Sequence, residues 1–203
     1  MMEELTTLME TNQTPLPGGT PTVASPGAVE SLIGHPATVG EALNNLAMHI
    51  PGFAGYKASE DRRIADKQLR AVIGEQLAKV KDRLDRVVDS LSRTGNLDSL
   101  AIIDQSGRKL ERLIDRMRFA DYGYTAVFDR VQLGDAQLLQ IYQFDATIMN
   151  ELPQFDGAAG AIESSGTDSE KLGAALAAFD SLIAEFDTRF ESRQHLFDGL
   201  STP

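Results

Sequence analysis

Leu69, Ile73, Leu77, Val80, Leu84, Val87 and Leu91 follow one another at intervals of four and three, which predicts one long helix with a single apolar seam. Opposite that seam, Asp66 with Arg70, Glu75 with Lys79, Asp82 with Arg86 and Asp89 with Arg93 stand four apart with the acid first, the order that supports an exposed helix face. Gly95 supplies the stop and Asn96 a cap for the next helix. Leu100, Ile103, Leu110, Ile114 and Met117 mark that second helix, with Gly107 in the slot where a close helix approach is expected. The link at 94–97 is too short for anything but an antiparallel hairpin. The pattern leaves open whether the second helix stops at Tyr122-Gly123-Tyr124 or runs to residue 130.

Leu138, Ile141, Ile148 and Leu152 predict a third helix over 135–152, ended by Pro153 and followed by a Gly/Ala/Ser-rich loop to 166. Thr167 with Glu170 reads as a capping box for a fourth, whose seam is Leu172, Leu176, Phe179, Ile183, Phe186, Phe190 and Phe197, with Gly199 closing it. Upstream, Thr38 and Glu41 form another box, and Val39, Leu43, Leu46 and Ile50 predict a short helix over 39–49 that Pro51 stops. The expected architecture is all-α: an antiparallel four-helix bundle, most simply up-down-up-down, with a short appended N-terminal helix.

Residues 12–37 hold Pro15, Pro17, Pro21, Pro26 and Pro36 among Gly, Thr and Ser, a composition that buries too little surface to offset ordering entropy. Residues 1–37 are therefore expected to be a disordered tail and 38–203 the bundle domain. Leu5, Leu8 and Met9 would line one side of a helical turn, which makes 1–11 either a tethered docking peptide or a frayed end.

Composition adds few constraints. The 203 residues include no Cys and no Trp, which removes disulfides, thiolate ligands and a Cys nucleophile. No apolar run approaches the ~20 residues of a spanning helix, and the N-terminus carries Glu3 and Glu4 where a secretory signal needs Lys or Arg. A cytoplasmic protein without an integral membrane segment is expected.

Charge changes the picture more. Residues 1–56 carry five acids and no Lys or Arg; 57–118 carry fifteen basic against eleven acidic residues; 119–203 carry four against fourteen. The formal net charge of −11 thus hides a basic middle. Lys57, Arg62, Arg63, Lys67 and Arg70 form one basic cluster, and Arg108, Lys109, Arg112, Arg116 and Arg118 another; both are interleaved with acids. Of these, Arg62, Arg63, Lys67, Arg70, Arg112, Arg116 and Arg118 are the candidate partner-binding residues. The overall acidity opposes nucleic-acid binding, while an anionic membrane surface stays open.

Six of the nine phenylalanines (Phe128, Phe144, Phe155, Phe179, Phe186 and Phe197) are followed directly by Asp. Helical neighbours point roughly 100° apart, so each aromatic can sit in the seam with its acid at the rim. The same acids can instead form a negative stripe meeting the basic hairpin, within one chain or between chains.

Catalytic chemistry finds little to stand on. G-x-x-x-x-G-K-[ST], G-x-G-x-x-G before a helix and G-x-S-x-G are all absent. A carboxylate-bridged metal site wants Glu-x-x-His pairs, and none occurs; Glu191 with His195 comes nearest, while His35 and His49 offer no second cluster. Asp145 falls between Ile141 and Ile148 on the apolar side of the third helix, so it meets a basic partner from the hairpin, titrates high, or sits at the core boundary. No cofactor is expected. Tyr122 and Tyr124 are expected to hydrogen-bond to the Phe53–Tyr56 turn as a lock at the open end of the hairpin.

The stretches PGFAGYKASEDRRIADKQLR (51–70) and DRMRFADYGYTAVFD (115–129) resemble an uncharacterised bacterial family of helical proteins, with a PGYxGY-like turn before a basic helix and a YGY element after a second. The resemblance covers about a third of the chain, implies a bacterial cytosolic protein and carries no activity. The function expected is that of a non-enzymatic interaction or scaffolding protein that self-associates or binds a protein partner through its seams and segregated charge. The alternatives are a metal-binding carboxylate bundle using Asp145, Glu191 and His195, or a peripheral binder of anionic membranes.

Overall fold

The computed structural model describes residues 36–56, 59–119 and 133–200, and these are all-helical. The helices are α1 (Val39–His49), α2 (Ser59–Thr94), α3 (Leu97–Phe119), α4 (Asp135–Ser165) and α5 (Ser169–Leu200). The tail, His35, Lys57, Phe128 and the Tyr122-Gly123-Tyr124 element lie outside the described residues, as does the side chain of Phe197.

The caps explain most of the boundaries. Thr38 accepts from the Glu41 N–H at 3.2 Å while Glu41 reaches back to the Ala37 N–H at 3.0 Å. Gly95 takes a φ of 72°, and Asn96 Oδ1 accepts from the Ser99 N–H at 3.3 Å, so the turn between α2 and α3 is built as expected. At α5 the cap is Asp168, which accepts from the Lys171 N–H at 3.1 Å, rather than Thr167. The carboxylate outcompetes the hydroxyl because it also pairs with the Lys171 ammonium at 3.0 Å.

Pro153 does not end α4, contrary to the sequence expectation: the helix runs on through it to Ser165, and Gly166 ends it at φ 55°. An interior proline costs about 3 kcal/mol. Beyond it, Phe155, Ala159 and Ile162 are buried, and a fully buried Phe or Ile alone is worth about 1.5–3 kcal/mol. Packing therefore outweighs the lost hydrogen bond, with Phe155 edge-on to Phe179 and Phe186 at 6.1 and 5.3 Å.

Every seam position from Leu69 to Leu91 is buried, as are Leu172, Leu176, Phe179, Ile183, Phe186 and Phe190. Helix α2 packs on α3 and α4, α5 packs on α3 and α4, and α1 packs on α4. A Cβ at Gly107 would meet Lys81 at an ordinary 3.6 Å, so the close approach expected there does not require glycine.

Candidate functional site

At one end of the core, charged residues occupy seam positions. The turn after α1 places them: Gly52 and Gly55 have φ of 74° and 84°, in the left-handed region that only glycine takes freely. A Cβ on Gly55 would collide with the Tyr142 hydroxyl, so the sharp turn and the close approach both need glycine here. The turn thereby delivers Phe53 and Tyr56 to Tyr142: Tyr56 stacks on Tyr142 at 5.3 Å and meets Phe53 edge-on at 5.5 Å. The Tyr56 N–H donates to the Tyr142 hydroxyl at 2.8 Å, and Arg62 Nε donates to the Tyr56 carbonyl at 2.9 Å.

The Tyr56 hydroxyl then donates to Asp145 Oδ2 at 2.6 Å. Arg193, fully buried, donates from Nε to Asp145 Oδ1 at 2.6 Å, from Nη1 to Asp66 Oδ1 at 2.5 Å and from Nη2 to the Tyr56 hydroxyl at 2.8 Å. Arg70 completes the set, donating from Nε to Asp66 Oδ2 at 2.8 Å and from Nη1 to the Met117 carbonyl at 3.2 Å. Two carboxylates thus face two guanidiniums, and the network joins the turn to α2, α3, α4 and α5.

Asp145 therefore sits in the core rather than at its boundary, and its basic partner is Arg193 of α5 rather than a hairpin residue. Burial pushes the Asp145 carboxyl above its ordinary pKa even though Arg193 and the Tyr56 hydroxyl pull it down. Burial, reinforced by Asp145, raises the Tyr56 phenol well above its usual value. For Arg193, burial favours the neutral form, but Asp145, Tyr56 and Asp66 outweigh it and hold the guanidinium charged.

The expected partner-binding residues divide between core and surface. Arg62 and Arg70 are only 4% and 3% exposed, and the Asp66–Arg70 pair is inside rather than on the solvent face, so neither arginine is available to an anionic partner. Arg63, Lys67, Arg112 and Arg118 are exposed. Arg116 is half-buried and pairs with Asp187 at 2.5 Å and Glu191 at 3.8 Å. Glu191 and His195 are exposed on α5, while Asp145 is held by Arg193 and Tyr56, so the three metal candidates are not brought together. Among the described residues no group of three or more His, Cys, Asp or Glu forms a metal cluster.

Three of the Phe-Asp steps divide between core and rim. Phe155, Phe179 and Phe186 are buried, and the acid after each pairs with the hairpin: Asp156 with Arg83 at 2.5 Å, Asp180 with Lys109, and Asp187 with Arg116. Arg83 also forks onto Glu163 at 2.5 and 2.9 Å, which holds the Glu163 carboxyl below its ordinary pKa.

Phe144-Asp145 inverts the pattern. Because the acid is inside, the ring is turned to the rim of α4, half-buried between two surface grooves. One, of about 320 Å³, is lined by Pro36, Gln140, Gln143, Phe144, Thr147 and Asn150 among others. The second, of about 640 Å³, continues onto α5 along Ala184, Glu185, Thr188, Arg189 and Ser192. Charge is sparse here, and Arg189 is paired with Glu151 at 2.6 Å. Burial lifts the Glu151 carboxyl above its usual value against the pull of Arg189.

The chain matches no family model, no curated protein and no solved structure.

Proposed function

We propose that this chain is a non-enzymatic helical-bundle interaction module that associates with a second protein, its own copy included, through the α4–α5 face around Phe144. The single observation behind this reading is the inverted Phe-Asp step: a half-buried aromatic ring lies between two grooves on a face where most side chains are small or uncharged. Depletion of charge around an aromatic anchor is the composition of an interface core. The heptad seams are buried within the chain, and the acids of three Phe-Asp steps already pair with the basic hairpin, so neither supplies the contact.

In this reading the domain is a four-helix bundle whose helices alternate up-down-up-down. Lys109–Asp180 and Arg116–Asp187 share one offset of 71 residues, which supports α3 and α5 running side by side in the same direction. Lys81 near Gly107 and Gly74 near Met117 support an antiparallel α2–α3 hairpin. Two such hairpins packed flank to flank leave the outer surface of α4 and α5 as one broad face.

Hydrogen exchange on the full chain across a concentration series tests the reading. Protection at 140–150 and 184–192 should rise with concentration and fail to rise in Ala184→Arg, an exposed position whose change leaves the core intact. Protection that is independent of concentration and of Ala184 would remove self-association through this face.

A second reading, a peripheral binder of anionic membranes, rests on Arg63, Lys67, Arg112 and Arg118 being exposed on the hairpin. Pelleting with anionic vesicles that is lost in the Arg63→Glu/Lys67→Glu variant would support it; no pelleting with anionic vesicles would end it.

A further inference from the structure

We infer that the segment 1–11 is an intramolecular ligand of the Phe144 face, seating Leu5, Leu8 and Met9 there and competing with the association proposed above. Three observations carry it. Pro36, the first described residue, is itself buried in the wall of the groove, and its carbonyl accepts from Gln143 Nε2 at 3.0 Å. The chain therefore enters the domain at the edge of the face in question.

The tether has the right reach. Residues 12–35 are 24 residues rich in Pro, Gly, Thr and Ser. Twenty-four residues at random-coil dimensions cover about 25–30 Å r.m.s., which is enough for residues 1–11 to reach a groove that begins at Pro36. A linker of this kind holds its end at an effective concentration on the order of millimolar, so a contact of only ~100 μM intrinsic affinity would be occupied about nine-tenths of the time.

The chemistry matches through apolar contact. Leu5, Leu8 and Met9 fall at i, i+3 and i+4, one side of a helical turn, and the face offers a phenyl ring flanked by Ala184 and the methyls of Thr147 and Thr188. Glu3, Glu4 and Glu10 meet one positive charge against two negative ones on this face, Arg189 with Glu151 and Glu185, so charge does not draw the segment in. The contact is therefore hydrophobic and tolerates salt, unlike the ion pairs that join the two hairpins.

The test uses the full chain and a synthetic peptide of residues 1–11. In the Leu5→Ser/Leu8→Ser/Met9→Ser chain the face is vacated, and calorimetry should register peptide binding with a negative heat-capacity change. The same peptide should bind wild type about tenfold more weakly, because the cis segment occupies the site, and should not bind the triple variant that also carries Ala184→Arg. No peptide binding to the triple variant, or equal binding to triple variant and wild type, would overturn the inference. The inference rests on the Phe144 face being a binding surface but not on self-association. Peptide binding in a triple variant that sediments like wild type keeps the seating and removes the association reading.

Discussion

Replacing Arg193 by Met removes the cation at the centre of the buried network while keeping most of its volume. At least four hydrogen bonds are lost, two to Asp145 at 2.6 and 3.3 Å, one to Asp66 at 2.5 Å and one to Tyr56 at 2.8 Å. Asp66 retains Arg70 at 2.8 Å, but Asp145 keeps only the Tyr56 hydroxyl at 2.6 Å. Breaking a buried pair from one side costs about 3–5 kcal/mol, because the remaining charge stays out of water. Against a total stability of about 5–15 kcal/mol the variant should fold with a depressed melting temperature, by roughly 6–20 °C at 2–4 °C per kcal/mol for a chain of this size.

Acid should narrow the deficit. The folded-state pKa of Asp145 is already raised by burial, so this group favours folding more as pH falls through its folded value toward the unfolded one. Without Arg193 that folded value rises further, the protonated carboxyl becomes acceptable in the core, and the variant recovers more stability on acidification than wild type does. Urea unfolding followed by circular dichroism between pH 7 and pH 5 measures this directly. The double variant Arg193→Met/Asp145→Leu should be more stable than the sum of the single losses implies, by at least about 1 kcal/mol. A cost below about 1 kcal/mol for Arg193→Met, or strict additivity in the double variant, would refute the claim that these buried charges depend on one another.

Glycine and proline positions give further checks. Gly55→Ala should destabilise by about 1–3 kcal/mol, since it combines a φ of 84° with a Cβ driven into the Tyr142 hydroxyl. Gly40→Ala, in α1 with nothing within 4 Å of the added methyl, should instead stabilise by about 0.5–1 kcal/mol, both read from urea midpoints. Pro153→Ala should raise the midpoint by restoring a helical hydrogen bond, up to the ~3 kcal/mol helix penalty; a loss would mean that the ring's packing matters more. Because Glu163 is held below its ordinary pKa by Arg83, the pair's contribution is present above the unfolded carboxyl pKa and lost as pH falls through the folded one. Arg83→Gln should therefore cost about 0.2–1 kcal/mol at pH 7 and progressively less below pH 4, measured by thermal unfolding.

Where the apolar repeat is unbroken, the fold is legible: α1 and the α2–α3 turn follow their seams and caps. Pro153 is a false stop signal because the local helix penalty does not contain the burial of Phe155, Ala159 and Ile162, which is a tertiary quantity. The buried network left a fainter trace. Extending the α2 seam backwards from Leu69 puts Asp66 and Arg62 in core register, and extending the α5 seam past Phe190 puts Arg193 there. With Asp145 on α4, these are charged residues on three apolar seams, and opposite charges in core register are a reason to place them together. The Asp66–Arg70 spacing masks that signal, because i,i+4 spacing is the same on either side of a helix. The Phe-Asp repeat gave the alternation of core and rim but not its partners, since the register between hairpins is not written in either one.

Sedimentation velocity on the full chain and on Ala184→Arg, each at low and at 1 M salt, separates association through the Phe144 face from association through complementary charge. With the ion pairs satisfied inside one chain, any assembly should persist or strengthen at high salt and be lost in Ala184→Arg. An oligomer that dissociates in salt and is indifferent to Ala184 would contradict it, placing the basic hairpin of one chain against the acidic helices of another.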